Sequence, residues 1–185
     1  DVLFSNAMQH NHSISMSSGN DKSQYYASIS AMVDPGWTKQ SGVNRYTANF
    51  NANYNIFKKL SFNMISSASY RKQKAPGTLS SNVNAVSGEV TRDFDINPYS
   101  YALNTSRVLD PDEFYTRNYS PFNILHELDN NYMEFDVVDL KFQGEFKLKP
   151  ITGLELSALG AVKYSGSGQH HHITDYSNQA QAYRA

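Results

Sequence analysis

Cysteine is absent from the 185 residues, so a disulfide framework, a thiolate metal site and a cysteine nucleophile are all excluded. Charge is sparse as well: Asp, Glu, Lys and Arg make up 18% of the chain, and the net charge is −1. Nucleic-acid binding needs a basic surface that displaces counterions, so no nucleic-acid partner is expected. Long apolar runs are missing too. A membrane-spanning helix takes about 20 consecutive apolar residues, whereas the uninterrupted runs here are only a few residues long. Disorder is not the remaining option, because 13% aromatic residues is far from the composition of an unfolded chain. No signal peptide opens the sequence at Asp1-Val2-Leu3-Phe4, so any leader is expected to have been removed or to lie upstream.

In place of charge the chain carries Ser and Asn, about 22% together, with 13 Tyr and 10 Phe. Their placement is periodic. From Arg45 one parity reads Tyr46, Ala48, Phe50, Ala52, Tyr54, Ile56, and the other reads Arg45, Thr47, Asn49, Asn51, Asn53, Asn55. Successive side chains of a strand point to opposite faces, so this segment reads as a strand with one apolar and one polar face. Helical spacing would mix the two sets. The same alternation runs through Gln24–Val33, Leu60–Tyr70, Val138–Leu148 and Leu154–Tyr164, with a weaker copy at His12, Ile14 and Met16.

The connections alternate in length. Gly19–Ser23, Phe57–Lys59 and Lys149–Gly153 are short and rich in turn formers, while the connection at Asp34–Ser41 is longer and the stretch 75–131 is very long. Short turns at one end and long loops at the other are the signature of an outer-membrane barrel. Ten residue steps at about 3.3 Å, tilted by about 40°, project to about 25 Å, the height of such a barrel's apolar band. Glu134 and Asp136 share the apolar parity of their strand but fall at its loop end, above that band. Tyr25, Tyr46, Tyr54, Tyr70 and Tyr164 stand near strand ends, as interfacial aromatics do. A soluble β-sandwich also alternates apolar and polar residues. Its strands, however, are typically five or six residues long, and its wet face carries mixed charges rather than ladders of Asn and Ser.

Several segments resemble the early barrel of SusC/RagA-type TonB-dependent transporters of Bacteroidetes. They are the Ser-rich strand at His12–Ser17, the turn Gly19-Asn20-Asp21-Lys22 and the Tyr25-Tyr26-Ala27-Ser28 strand. Arg45-Tyr46-Thr47, Asn97-Pro98-Tyr99, Ser120-Pro121-Phe122-Asn123 and Ile151-Thr152-Gly153-Leu154-Glu155-Leu156 fit the same pattern. The likeness runs from about residue 10 to the end. One departure is Asp34-Pro35-Gly36-Trp37, shorter than the acidic loop of that family.

The resemblance implies an all-β fold: about six strands of a 22-stranded antiparallel up-and-down transmembrane barrel. The strands are expected near 10–19, 24–33, 42–56, 60–72, 132–148 and 154–165, with a long extracellular loop over 75–131. The family's plug domain and TonB box are expected to lie outside these residues. It also implies active import of an oligosaccharide or peptide across the bacterial outer membrane. The partners would be a SusD-like surface lipoprotein, the TonB complex and outer-membrane lipid; no cofactor is implied. The alternatives from other classes are a soluble or surface-attached β-sandwich that binds or adheres, and a passive porin.

Tyr46, Phe50, Tyr54, Leu140, Phe142 and Phe146 are the expected lipid-facing residues. The candidate substrate- or partner-contacting residues are Trp37, Tyr99, Tyr101, Phe114, Tyr115, Arg117 and Tyr119, since aromatics and Arg are what binding surfaces enrich. The same aromatics could instead pack a long loop against itself and the rim. Other constellations are weaker. His170-His171-His172 reads as a solvated Gly/Ser-rich loop, since adjacent residues of a strand cannot all face one ion. His10 and His12 share a face without a third ligand. Asp93-Phe94-Asp95-Ile96-Asn97 opens like a calcium loop but runs into Pro98 and lacks the closing Glu. Gly166-Ser167-Gly168 lacks the spacing of a nucleophile elbow, and catalysis is not expected.

Overall fold

The computed structural model describes residues 6–38, 40–77, 81–83, 90–92, 116–117, 120–121, 128–177 and 180. Six long strands form one antiparallel sheet: β1 (His10–Gly19), β2 (Ser23–Asp34), β3 (Gly42–Phe57), β4 (Leu60–Pro76), β9 (Asn131–Leu148) and β10 (Leu156–Ile173). Their order in the sheet is their order in the chain. Two small ladders lie between β4 and β9. In one, β5 (Ser81–Val83) pairs with β6 (Val90–Arg92); in the other, β7 (Thr116–Arg117) pairs with β8 (Ser120–Pro121).

Local chemistry sets the short ends. Asn20 Oδ1 accepts the backbone N–H groups of Lys22 and Ser23 at 2.9 Å each, so its side chain stands in for backbone in the β1–β2 turn. Lys58-Lys59 reverses β3 into β4 beside a register shift between Asn55 and Phe57. Gly153, at φ +87°, supplies the left-handed residue of the β9–β10 turn. Lys59 Nζ donates to Pro150 O at 2.7 Å and ties the last two turns together.

The register carries each apolar set onto its neighbour's. One row crosses the sheet as Ile14, Ile29, Ala48, Ala68, Leu140, Tyr164; the next reads Met16, Ala27, Phe50, Ser66, Phe142, Val162. A slip of one residue anywhere would send a whole strand's apolar set to the other face, and no slip occurs within the six strands above the Asn55/Phe57 shift. No second sheet covers this face among the described residues. Tyr46, Phe50, Tyr54, Leu140, Phe142 and Phe146 are all at least 39% exposed. The sealed interior that a β-sandwich requires is therefore not formed by these strands.

Two expectations need correction. The strand after Lys59 continues to Pro76, and the last strand begins at Leu156 and continues to Ile173. The run His170–His172 is consequently strand, not loop: its backbone is held by β9, where His172 opposes Tyr132 and His170 opposes Glu134.

Candidate functional site

The strands divide into two storeys. In the lower one, from the row Tyr46, Tyr70, Val138, Gly166 down to the row Leu60, Leu148, Leu156, the apolar face contains no Asp, Glu, Lys or Arg. Over the same span the polar face carries Asp139, Lys141, Glu145, Lys147 and Lys163 among its Asn and Ser. On β9 this storey is ten residue steps, Val138 to Leu148, which is about 25 Å at barrel tilt. Aromatic packing follows the fold: Phe62 and Phe146 rings lie 4.6 Å apart. Phe62 also covers the gap left by Gly144, where a Cβ would sit 3.3 Å from its ring.

In the upper storey the polarity turns over. The face that was apolar now shows Lys72, Lys74, Glu134, Asp136, His170 and His172. Lys72 Nζ is 3.4 Å and His172 Nε2 3.6 Å from Glu134 Oε2. Tyr70 donates to Asp136 Oδ1 at 2.7 Å, at the boundary between the two storeys. Lys74 Nζ stands 3.9 Å over the Tyr132 ring, which stacks on His172 at 4.8 Å. The opposite face gains Val137, Phe135 and Met133. Met133 is 1% exposed, as is Leu128.

Hydrogen bonds tie the strand ends together here. Residues 128–130 are helical; Thr174 donates to Asn130 through both its N–H, at 2.9 Å, and its hydroxyl, at 2.6 Å. Gln40 Nε2 donates to Asp129 Oδ1 at 2.9 Å. Gly77 is buried and donates its N–H to Asn131 O at 2.9 Å. Any Cβ at residue 77 would overlap the Asn131 side chain, so only glycine allows this approach. His171 Nε2 lies 2.6 Å from Asn131 Oδ1. Burial, and then the neighbouring His172, hold His171 below the usual imidazole range.

Of the residues singled out by sequence, Trp37 is 62% exposed in the β2–β3 connection. Arg117 falls on the small β7–β8 ladder. Tyr99, Tyr101, Phe114, Tyr115 and Tyr119 lie outside the described residues, as does the Asp93–Asn97 motif. His10 and His12 rings are 6.2 Å apart, and no group of three metal-ligating side chains occurs among the described residues.

One feature of the polar face escaped the sequence reading. Arg45 on β3 and Arg71 on β4 are register partners. Directly opposed side chains have Cβ atoms about 4.5–5.5 Å apart, and like charges there repel. The signal was present in the spacing, because both residues fall on the polar parity of their strands, but the pairing of β3 with β4 is needed to see it.

This geometry recurs in solved structures. The chain superposes on a chain of the RagAB peptide importer in its "closed-closed" state with a TM-score of 0.66 and 18% identity, over 94% of its own length. A second RagAB peptide transporter structure gives a TM-score of 0.64, 18% identity and 92% coverage. The chain has the fold of these RagAB chains. It spans 19% of their length, and the SusC/RagA resemblance read from its motifs is thereby matched in architecture. No family model matches the sequence, and neither does any curated protein.

Proposed function

We propose that these strands are part of the wall of an outer-membrane importer that works with a SusD-like lipoprotein and draws energy through TonB. The observation that carries the reading is the charge-free apolar face of the lower storey, about 25 Å tall, backed by a polar face rich in Asn and Ser. A magnitude argues for lipid over water. Fully burying a large apolar side chain is worth about 1.5–3 kcal/mol, so each half-exposed one left in water forgoes about 1 kcal/mol. A dozen such residues on one face amount to on the order of 10 kcal/mol, comparable with the whole net stability of a domain. Acyl chains remove that cost, and they require every backbone group to pair laterally, as the ladders here do. The free edges of β1 and β10 would then be closed by further strands.

In this role the chain performs no chemistry. Its apolar face meets lipid through Tyr46, Phe50, Tyr54, Leu140, Phe142 and Phe146; its polar face lines the solute path. Trp37 and Arg117, with Tyr99, Tyr101, Phe114, Tyr115 and Tyr119, are the proposed contacts for solute or lipoprotein at the loop end. Between oligosaccharide and peptide, the likeness to the RagAB peptide importer favours peptide.

Two measurements on the full-length protein test this. A tryptophan introduced at Phe142 should be quenched by lipids brominated in their acyl chains, while one at Gln143 should not. Equal quenching would remove the lipid-facing assignment. Uptake should stop when the proton-motive force is collapsed; continued uptake would instead identify a passive porin.

A further inference from the structure

We propose that Arg71, supported by Arg45, forms a carboxylate-binding subsite on the polar face, selective for acidic peptides over neutral ones. This rests on the importer reading above and specifies what the wall recognises.

The first observation is a pair of arginines without an ion-pair partner among the described residues. Arg45 and Arg71 oppose each other across β3 and β4, both are exposed, and neither has a carboxylate partner among the described residues. Among the described residues, Arg45 makes one side-chain hydrogen-bond contact, a 4.0 Å approach of Nη2 to Met32 Sδ. The carboxylates closest in register are engaged locally: Asp139 accepts from Ser165 at 2.6 Å, and Asp34 from the Gly36 N–H at 2.9 Å. Two cations at one register position on neighbouring strands of the same face favour an anion close by. Guanidinium groups favour the planar, two-oxygen geometry of a carboxylate.

The second observation is the shape beside them. Arg71 borders a hollow of about 370 Å³ that is also lined by Phe135, Val137, Gln73, Ser167 and Gln169. A lining of apolar side chains with a few polar groups among them is the usual build of a ligand pocket. It suits a short peptide segment: the guanidinium takes the carboxylate, the amides and hydroxyl take backbone groups, and the apolar lining takes the chain. The polar face as a whole leans the same way. Arg45, Arg71, Lys141, Lys147 and Lys163 stand against Asp34, Asp139 and Glu145, five cations to three carboxylates.

The test uses the full-length transporter and three synthetic Gly/Ser peptides of one length: one with a central Asp, one with Asn in its place, and one with Asn and an amidated C-terminus. Wild type should bind and take up the Asp peptide about 10- to 100-fold better than the Asn amide, the range expected for a charge-assisted pair. Arg71→Gln should bring that ratio to within about threefold while uptake of the amide stays unchanged. Arg45→Gln should reduce it less. The unchanged amide uptake shows that the variant barrel is folded. If the free-terminus Asn peptide behaves like the Asp peptide, the C-terminal carboxylate is the ligand; if it behaves like the amide, the side chain is. A wild type that takes up all three alike, or a preference that Arg71→Gln leaves intact, overturns the subsite and leaves import standing. No uptake of any peptide would remove the peptide-import reading itself.

Discussion

The lower and upper storeys of the same strands are built by opposite rules. Below the Tyr46/Tyr70 row, the exposed face is apolar and uncharged and nothing among the described residues covers it. Above that row the same parity carries Lys72, Glu134 and Asp136, while the reverse face acquires Val137, Phe135 and a buried Met133. A soluble sheet with one wet face and one partly covered face is what the upper storey resembles. On the proposed reading, the lower storey meets a second solvent on its apolar side. The ladder of backbone hydrogen bonds is continuous through both, so it is side-chain chemistry alone that marks where one environment ends.

Substitutions can break this contrast, and their effects should descend in order. The largest is expected for a charge on the apolar face at mid-height. Phe142→Lys should cost about 2–4 kcal/mol of barrel stability, read as lost heat-modifiable migration or a lower urea midpoint. Gln143→Lys, one residue away on the polar face, should change it by less than about 0.5 kcal/mol. Equal effects at the two positions would dissolve the distinction between faces. Next is Met133→Ala, which empties the upper core. It should cost about 2–3 kcal/mol, seen in hydrogen exchange as easier opening of 131–137 and 168–174, with the lower ladder still protected. Loss of protection throughout would mean that the storeys are one cooperative unit. The smallest effect is Lys72→Ala. Lys72 is 45% exposed in its pair with Glu134, and such pairs contribute about 0–1 kcal/mol. A cost well beyond that would place Lys72 in a drier setting than the upper storey provides.

How far the sequence could be read follows the same division. In the lower storey, Arg45–Ile56 and Val138–Leu148 alternate without interruption, and period two is a local property that needs no partner to be recognised. In the upper storey the pattern is broken: Val137 and Val138 are both apolar, and Phe135 faces opposite to Glu134 and Asp136. Gly166-Ser167-Gly168-Gln169 followed by three His has the composition of a loop, so the continuation of β10 to Ile173 could not be inferred from it. What makes it strand is its partner, since Ser167–Ile173 pairs with Val137–Asn131. The opposition of Arg45 and Arg71 was hidden for a related reason: parity is written in each strand, but register is written between them.

In the proposed membrane setting, the turnover of polarity at the tyrosine row also fixes altitude. Sliding the wall by one row, about 5 Å along the membrane normal, would pull Lys72 and Asp136 toward the acyl chains on one side. On the other side it would push Leu60, Leu148 and Leu156 out of them. The opposite slide would draw the turn cations Lys58, Lys59 and Lys149 toward the same acyl chains, so the position at rest is a minimum bounded on both sides. A wall with such detents can hold station while something inside it is dragged.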